Sequence, residues 1–328
     1  MRPSRSLALS IAAALAVVFC GPVTAQRNPN EPPEHSAPFP NLSIGKNREE
    51  IRKGFEQSPH LERGIPAREM LEQQRRLDRA LALLQPQRAG TVDAYVISIA
   101  LDSDPVFARE AREAARVLES RYGASGRVLT LAGPDGEKDD LPKGSIRSLL
   151  LSLAHISEVM DPAEDVLVLY TTSHGSRAGL VNHYGDTSYG IFSPVRLKKT
   201  FDELGIKRRM LIISACYSGV FTQPLASPDT AILTAAASER TSFGCKPEND
   251  WTFYGDALIN NALRKPQSLS QAAQEANRMI AEWETKRRLL ASLPQISVGA
   301  NAAAWLDILE ARVPQVASAP VGRSAAAD

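Results

Sequence analysis

Short, nearly continuous apolar runs alternate with amphipathic stretches between residues 93 and 237, and this alternation restricts the chain to few folds. Strands that are apolar on both faces are typical of a parallel sheet covered by helices on both sides. The stretches between them carry helix signals, such as Asp104-Pro105 at one start and Gly123 at its end. The sequence therefore predicts an α/β fold, a three-layer α/β/α sandwich with a mostly parallel central sheet. The predicted strands are DAYVISIAL (93–101), RVLTLAG (127–133), DVLVLYTTS (165–173), RRMLIISA (208–215) and TAILTAAA (230–237).

The periodicity of apolar residues also divides the chain into a folded domain and flanking segments. Residues 26–60 are polar and rich in proline, and we interpret them as a flexible leader. We expect the folded domain to cover residues 61–312 and a disordered tail to cover residues 313–328. Helices are predicted over residues 67–84, 104–122, 144–160, 193–205, 254–263 and 269–290.

The first 25 residues have the three-part layout of a secretory signal peptide. Arg2 and Arg5 precede an apolar run that is too short to span a bilayer comfortably, and Val23-Thr24-Ala25 offers a cleavage point. Cys20 raises the alternative of a lipid-modified N-terminus, which the bulky Phe19 disfavours. We therefore expect an exported protein, periplasmic or secreted after cleavage, without an integral membrane segment.

Charge and cysteine content exclude several classes of function. The formal net charge is +1 and the basic residues are spread along the chain, which argues against a nucleic-acid surface. Cleavage would leave Cys216 and Cys245, too few for a structural zinc site without other ligands. We assign no cofactor and no metal ligand from the sequence, and the oligomeric state stays open.

Polar turns follow three of the predicted strands, where ligand sites of parallel sheets usually lie. They are SHGS after the third strand, CYSG after the fourth and SERTSFGC after the fifth. In these turns Cys216 is a potential nucleophile and His174 a potential acid–base group, while the backbone N–H of Gly175 suits an oxyanion. A lone cysteine beside a strand is more often a small buried hydrophobic residue, so the joint placement carries the hypothesis.

The segments TSHG and ISACYSG resemble the legumain-like cysteine peptidases of family C13, which share their fold with caspases. TAAASERTSFGC, WTFYGDAL and PQISVGA extend the resemblance, which covers about Leu77 to Leu306. It implies a caspase-like peptidase domain over residues 61–312 with His174 and Cys216 as catalytic dyad and Gly175 in the oxyanion hole. It also implies an exported endopeptidase that hydrolyses peptide or protein substrates through a thioester acyl-enzyme.

Residues of the substrate pocket follow from the same resemblance. Arg109 is the candidate for the family's specificity arginine, although a solvated charge on the first helix explains it equally well. Ser238 and Ser242 either line the pocket or cap turns. Tyr217 stands where legumains carry an acid, which places a preference for asparagine in doubt. Ser214 stands where metacaspases carry an aspartate, so a preference for basic residues is not expected.

Several alternatives stay open at this point. The same dyad serves a transamidase, and the same fold serves a catalytically silent binding protein. A disulfide between Cys216 and Cys245 would make the enzyme latent, and we favour a free Cys245. Asp102 or Asp104 is a candidate for orienting His174, although Asp104 is equally well explained as a helix cap. His183 is interpreted as a loop residue.

Overall fold

The computed structural model of the chain describes residues 28–138 and 140–327. The predicted signal peptide, residues 1–25, lies outside the described residues. Helices and strands follow in the order α1 (Arg48–Glu56), β1 (His60–Glu62), α2 (Ala67–Ala82), β2 (Ala94–Ala100), α3 (Pro105–Tyr122), β3 (Val128–Leu131), α4 (Ile146–Val159), β4 (Val166–Thr172), β5 (Gly175–Ser176), β6 (Gly179–Tyr184), β7 (Ser188–Phe192), α5 (Pro194–Leu204), β8 (Arg209–Ser214), α6 (Thr222–Leu225), β9 (Thr230–Thr234), α7 (Leu269–Lys286), β10 (Gln295–Val298) and α8 (Ala302–Glu310). A π-helix at Gly255–Asn261 continues into a 3₁₀ turn at Ala262–Arg264.

The central sheet has six strands in the order β10-β9-β8-β4-β2-β3. All neighbours pair in parallel except β10, which runs antiparallel to β9. Alternate residues of β4 explain why the strand is apolar throughout: Val168 and Tyr170 pack on one face, Leu167 and Leu169 on the other. Helices α3, α7 and α8 cover the first face, and α2, α4 and α5 cover the second. The predicted three-layer α/β/α class is confirmed.

A second sheet was not predicted from the sequence. Strands β1, β7, β6 and β5 pair antiparallel in the order β1-β7-β6-β5 beside the carboxyl end of β4. A bridge between Asp102 and His183 joins it to the residues that follow β2. These strands are short, and β6 and β7 include glycine and polar residues, so they lack the apolar run that marks the central strands.

The structure places helix α1 and several polar contacts within residues 28–60, the segment that we interpreted as a flexible leader. Asn47 caps α1 by accepting a hydrogen bond from the backbone N–H of Glu50. The carboxylate of Asp186 accepts from the backbone of Ser36 and Ala37. These contacts are polar and involve the backbone, which fits the low apolar periodicity of the segment.

The end of the chain, which we predicted as a disordered tail, also makes contacts with the folded domain. Ala325 is buried, and its backbone N–H donates to the carboxylate of Asp256 at 2.8 Å. The indole N–H of Trp251 donates to the carbonyl of Val321 at 2.9 Å. None of the helices in the described part of the chain is long and apolar enough to cross a membrane.

Candidate active site

The register of two neighbouring strands brings His174 and Cys216 to one edge of the sheet. Strands β4 and β8 pair in parallel with Thr172 opposite Ser214. His174 and Cys216 each lie two residues beyond this last pair, and Ser173 N–H donates to the Ser214 carbonyl at 3.2 Å. Residues far apart in the sequence thus reach equivalent positions because parallel strands end together.

The imidazole of His174 lies between an aromatic ring and a carboxylate. Its Nε2 is 3.6 Å from Oδ2 of Asp104, and the buried Phe107 ring meets it edge-on at 5.1 Å. Partial burial lowers the pKa of His174, but the hydrogen bond to Asp104 and the charges of Asp102, Asp104 and Cys216 outweigh it, so the pKa is raised. With 42% of its side chain exposed, the ring stays accessible to a substrate.

The thiol of Cys216 lies in a polar setting that favours its ionised form. A hydrogen bond from the Cys245 thiol is the largest contribution, and with the field of His174 it lowers the pKa of Cys216 to about 6. The backbone N–H of Ser242 donates to Sγ at 3.3 Å. The same contact with Cys216, together with burial, raises the pKa of Cys245 well above its ordinary value. In the described part of the chain Cys216 and Cys245 are free, so they are two separate thiols.

Tight backbone packing fixes the turn that carries Cys216. Tyr217 adopts a left-handed conformation with φ of 57°, and its N–H donates to the Arg240 carbonyl at 2.8 Å. This conformation is costly for a non-glycine residue, so the surrounding contacts hold it in place. A Cβ at position 175 would lie 2.0 Å from the Cys216 carbonyl oxygen, so only glycine fits.

A buried carboxylate lies behind this edge of the sheet. Glu110 of α3 is fully buried, and its Oε1 accepts hydrogen bonds from the hydroxyls of Tyr170 and, at 2.7 Å, Thr172. Its other oxygen accepts from the backbone N–H of Thr252 at 2.9 Å. The end of β4, just before His174, is thereby tied to the helix and to the loop ahead of the π-helix.

The predicted substrate residues lie in different places. Arg109 points at the loop after Cys245, where it donates to the Pro247 carbonyl at 2.7 Å and pairs with Asp250 at 3.8 Å. These contacts involve neither His174 nor Cys216 and are those of a residue that fixes a loop. Ser242 lies beside Cys216 through its backbone, while the exposed Ser238 hydroxyl donates to Glu239 at 2.8 Å.

Residues near Tyr217 were not singled out from the sequence. The exposed Arg177 places its guanidinium 5.8 Å from the centre of the Tyr217 ring. The backbone carbonyl of Arg240 accepts a hydrogen bond from the Tyr217 N–H, and the Phe107 ring packs edge-on against the ring of His174. In the sequence, Arg177 is marked only by its position a few residues after a predicted strand. Many arginines in loops share this position, so it does not indicate a functional residue.

Residues 149–303 match the family model described as Peptidase C13 family. The match covers a little under half of the chain, includes His174 and Cys216, and leaves out Arg109. Together the fold and this match define a cysteine-type peptidase. The match confirms the resemblance to peptidase family C13 seen in TSHG and ISACYSG.

Among solved structures, a caspase shows weak similarity to this chain. Caspase-1 from Spodoptera frugiperda is 13% identical, with a TM-score of 0.42 over 66% of this chain and 88% of that chain. No curated protein matches the chain. The strand order defines the fold of the chain, and the family match defines its class.

Proposed function

We propose that the chain is an exported cysteine endopeptidase in which Cys216 is the nucleophile and His174 the acid–base group. The observation that carries the proposal is the register of β4 and β8, which sets both side chains two residues beyond the pair Thr172 and Ser214. A nucleophile with a lowered pKa beside an imidazole with a raised one is the charge state that thiol proteases use.

The chemistry follows from these two charges. The Cys216 thiolate attacks the peptide carbonyl carbon, and the tetrahedral oxyanion is met by the backbone N–H groups of Gly175 and Cys216. The His174 imidazolium gives its proton to the leaving amine, which leaves a thioester on Sγ. Since Nε2 of His174 faces Asp104, Nδ1 is the nitrogen that serves the reaction. Water, deprotonated by neutral His174, then hydrolyses the thioester and restores the thiolate.

Two other functions would give reaction products different from those of hydrolysis. A transamidase would pass the acyl group to an amine, so a peptide pool with added amine would give amide adducts. A silent binding protein would bind peptides and release no fragments. Hydrolysis is favoured over silence by the low pKa of Cys216, because a binding surface has no use for a thiolate.

The decisive experiment profiles a peptide library with the wild type, Cys216→Ala and His174→Ala. We expect cleavage by the wild type and a loss of at least about 10³-fold in kcat/KM for both variants, as for other catalytic pairs. His155→Ala is the matched control, because His155 lies on α4 and touches neither residue of the dyad. Equal activity in Cys216→Ala would refute the assignment of the nucleophile.

Export is a separate part of the proposal. It is supported by the layout of Arg2, Arg5 and the apolar run before Val23-Thr24-Ala25. Mass spectrometry of the protein recovered outside the cytoplasm should show a chain that begins at Gln26. A full-length chain retained in the cytoplasm would contradict export without affecting the peptidase assignment.

A further inference from the structure

Three side chains of types that can ligate a metal ion, from separate segments, meet beside the edge of the sheet that carries His174. His35 comes from the N-terminal segment, Asp102 follows β2, and His183 lies on β6. One nitrogen of each histidine and one oxygen of the carboxylate all lie within 4.8 Å of one another. Nε2 of His35 is 2.9 Å from Oδ1 of Asp102, and the two imidazole rings stack at 3.5 Å.

The cluster contains polar atoms that the protein leaves without a partner. The side chain of Asp102 is fully buried, and its Oδ2 has no hydrogen-bond partner among residues 28–138 and 140–327. Nδ1 of His35 and Nε2 of His183 are also buried and unpartnered. A buried polar atom without a partner is costly, and three in one place indicate that the cluster binds something besides the chain.

We propose that His35, Asp102 and His183 bind a divalent transition metal ion, with zinc as the best fit. Two imidazoles and one carboxylate form a donor set that zinc accepts and that calcium and magnesium, which prefer oxygen ligands, do not. Binding would displace the proton shared by His35 and Asp102 into solvent, because an imidazole ligates a metal ion only in its neutral form.

The ion would fasten the N-terminal segment to the catalytic edge. Around His35, the carbonyl of Pro33 accepts from the Ser103 hydroxyl at 2.6 Å, and Phe39 meets the His183 ring edge-on at 5.3 Å. Asp104, which faces His174, is also 3.5 Å from Nε2 of His35. Metal binding would therefore act on the carboxylate that orients the catalytic imidazole, without using His174 or Cys216 as ligands.

Zinc titration by calorimetry tests the site. The protein should carry no affinity tag and the substitutions Cys216→Ala and Cys245→Ala, so that no thiolate competes for zinc. We expect one zinc per chain and no heat with calcium. His35→Ala and His183→Ala should each weaken the affinity on the order of 100-fold or more, as loss of a ligand does. His60→Ala, an exposed histidine of β1, should bind like the parent.

A second measurement guards against variants that fail to fold. Zinc should slow cleavage of residues 28–47 by an added protease in the parent and leave the rate unchanged in His35→Ala. Absence of stoichiometric binding in the parent, or binding that survives loss of both histidines, would overturn the proposal. Because the tested protein lacks Cys216, either result is independent of the peptidase mechanism.

Discussion

At the scale of single residues, the charge state of the site depends on a few neighbours of each catalytic group. Asp104 raises the pKa of His174, and the hydrogen bond from the Cys245 thiol lowers the pKa of Cys216. Both neighbours act on the pKa of a proposed catalytic group, so their removal should change the pH dependence of the reaction more than the fold.

Asp104→Asn should move the alkaline limb of the pH profile of kcat/KM to lower pH. The active form needs a pH above the pKa of Cys216, which is lowered to about 6, and below the pKa of His174, which is raised. The substitution removes the carboxylate that raises the pKa of His174, so the imidazolium is lost at lower pH. The profile should be measured with a chelator present. Asp78→Asn, on α2, should leave both limbs in place.

Cys245→Ala should raise the pH at which Cys216 is alkylated. The hydrogen bond from Cys245 is the largest contribution to the lowered pKa of Cys216, so its loss shifts the thiolate toward the ordinary thiol range. Iodoacetamide labelling across pH, with the labelled site located by mass spectrometry, gives the midpoint. An unchanged midpoint would show that His174 and the Ser242 N–H suffice to ionise the thiol.

At the scale of elements, the central strands could be predicted and the second sheet could not. DVLVLYTTS and RRMLIISA predict strands because they are apolar on both faces. Parallel pairing of these two strands then brings His174 and Cys216 to one edge of the sheet. Strands β5 to β7 are short and interrupted by glycines, and His35 reaches Asp102 from a segment without periodicity. Such contacts depend on tertiary packing, which local patterns do not encode.

The tie between α3 and the end of β4 gives a prediction for stability. Glu110→Ala leaves the Tyr170 and Thr172 hydroxyls and the Thr252 N–H without their buried acceptor, and should lower the free energy of unfolding by about 3–5 kcal/mol. Urea denaturation measures the difference. Glu119→Ala on the same helix should change it by less than about 0.5 kcal/mol, because the Glu119 side chain is only half-buried. Equal effects would mean that the carboxylate is dispensable.

At the scale of the whole molecule, the two terminal segments, whose sequences predict flexible chain, both contact the folded domain. The N-terminal segment lies against Asp102 and Asp186, beside the catalytic edge. The C-terminal segment lies against Asp256 and Asn260 of the π-helix. Composition marks both segments as polar or small, and composition alone does not distinguish a free segment from one held by backbone hydrogen bonds.

Truncation after Gln315 distinguishes these two states for the C-terminal segment. The segment supplies the carbonyl of Val321 to the Trp251 and Asn260 side chains and the backbone N–H of Ala325 to the fully buried Asp256. With each such bond contributing about 1 kcal/mol net, removal should lower the free energy of unfolding by about 3 kcal/mol. Asp256→Ala in the full chain should reproduce part of that loss. A truncated protein with unchanged stability would mean that this segment is free in solution, as its composition alone suggests.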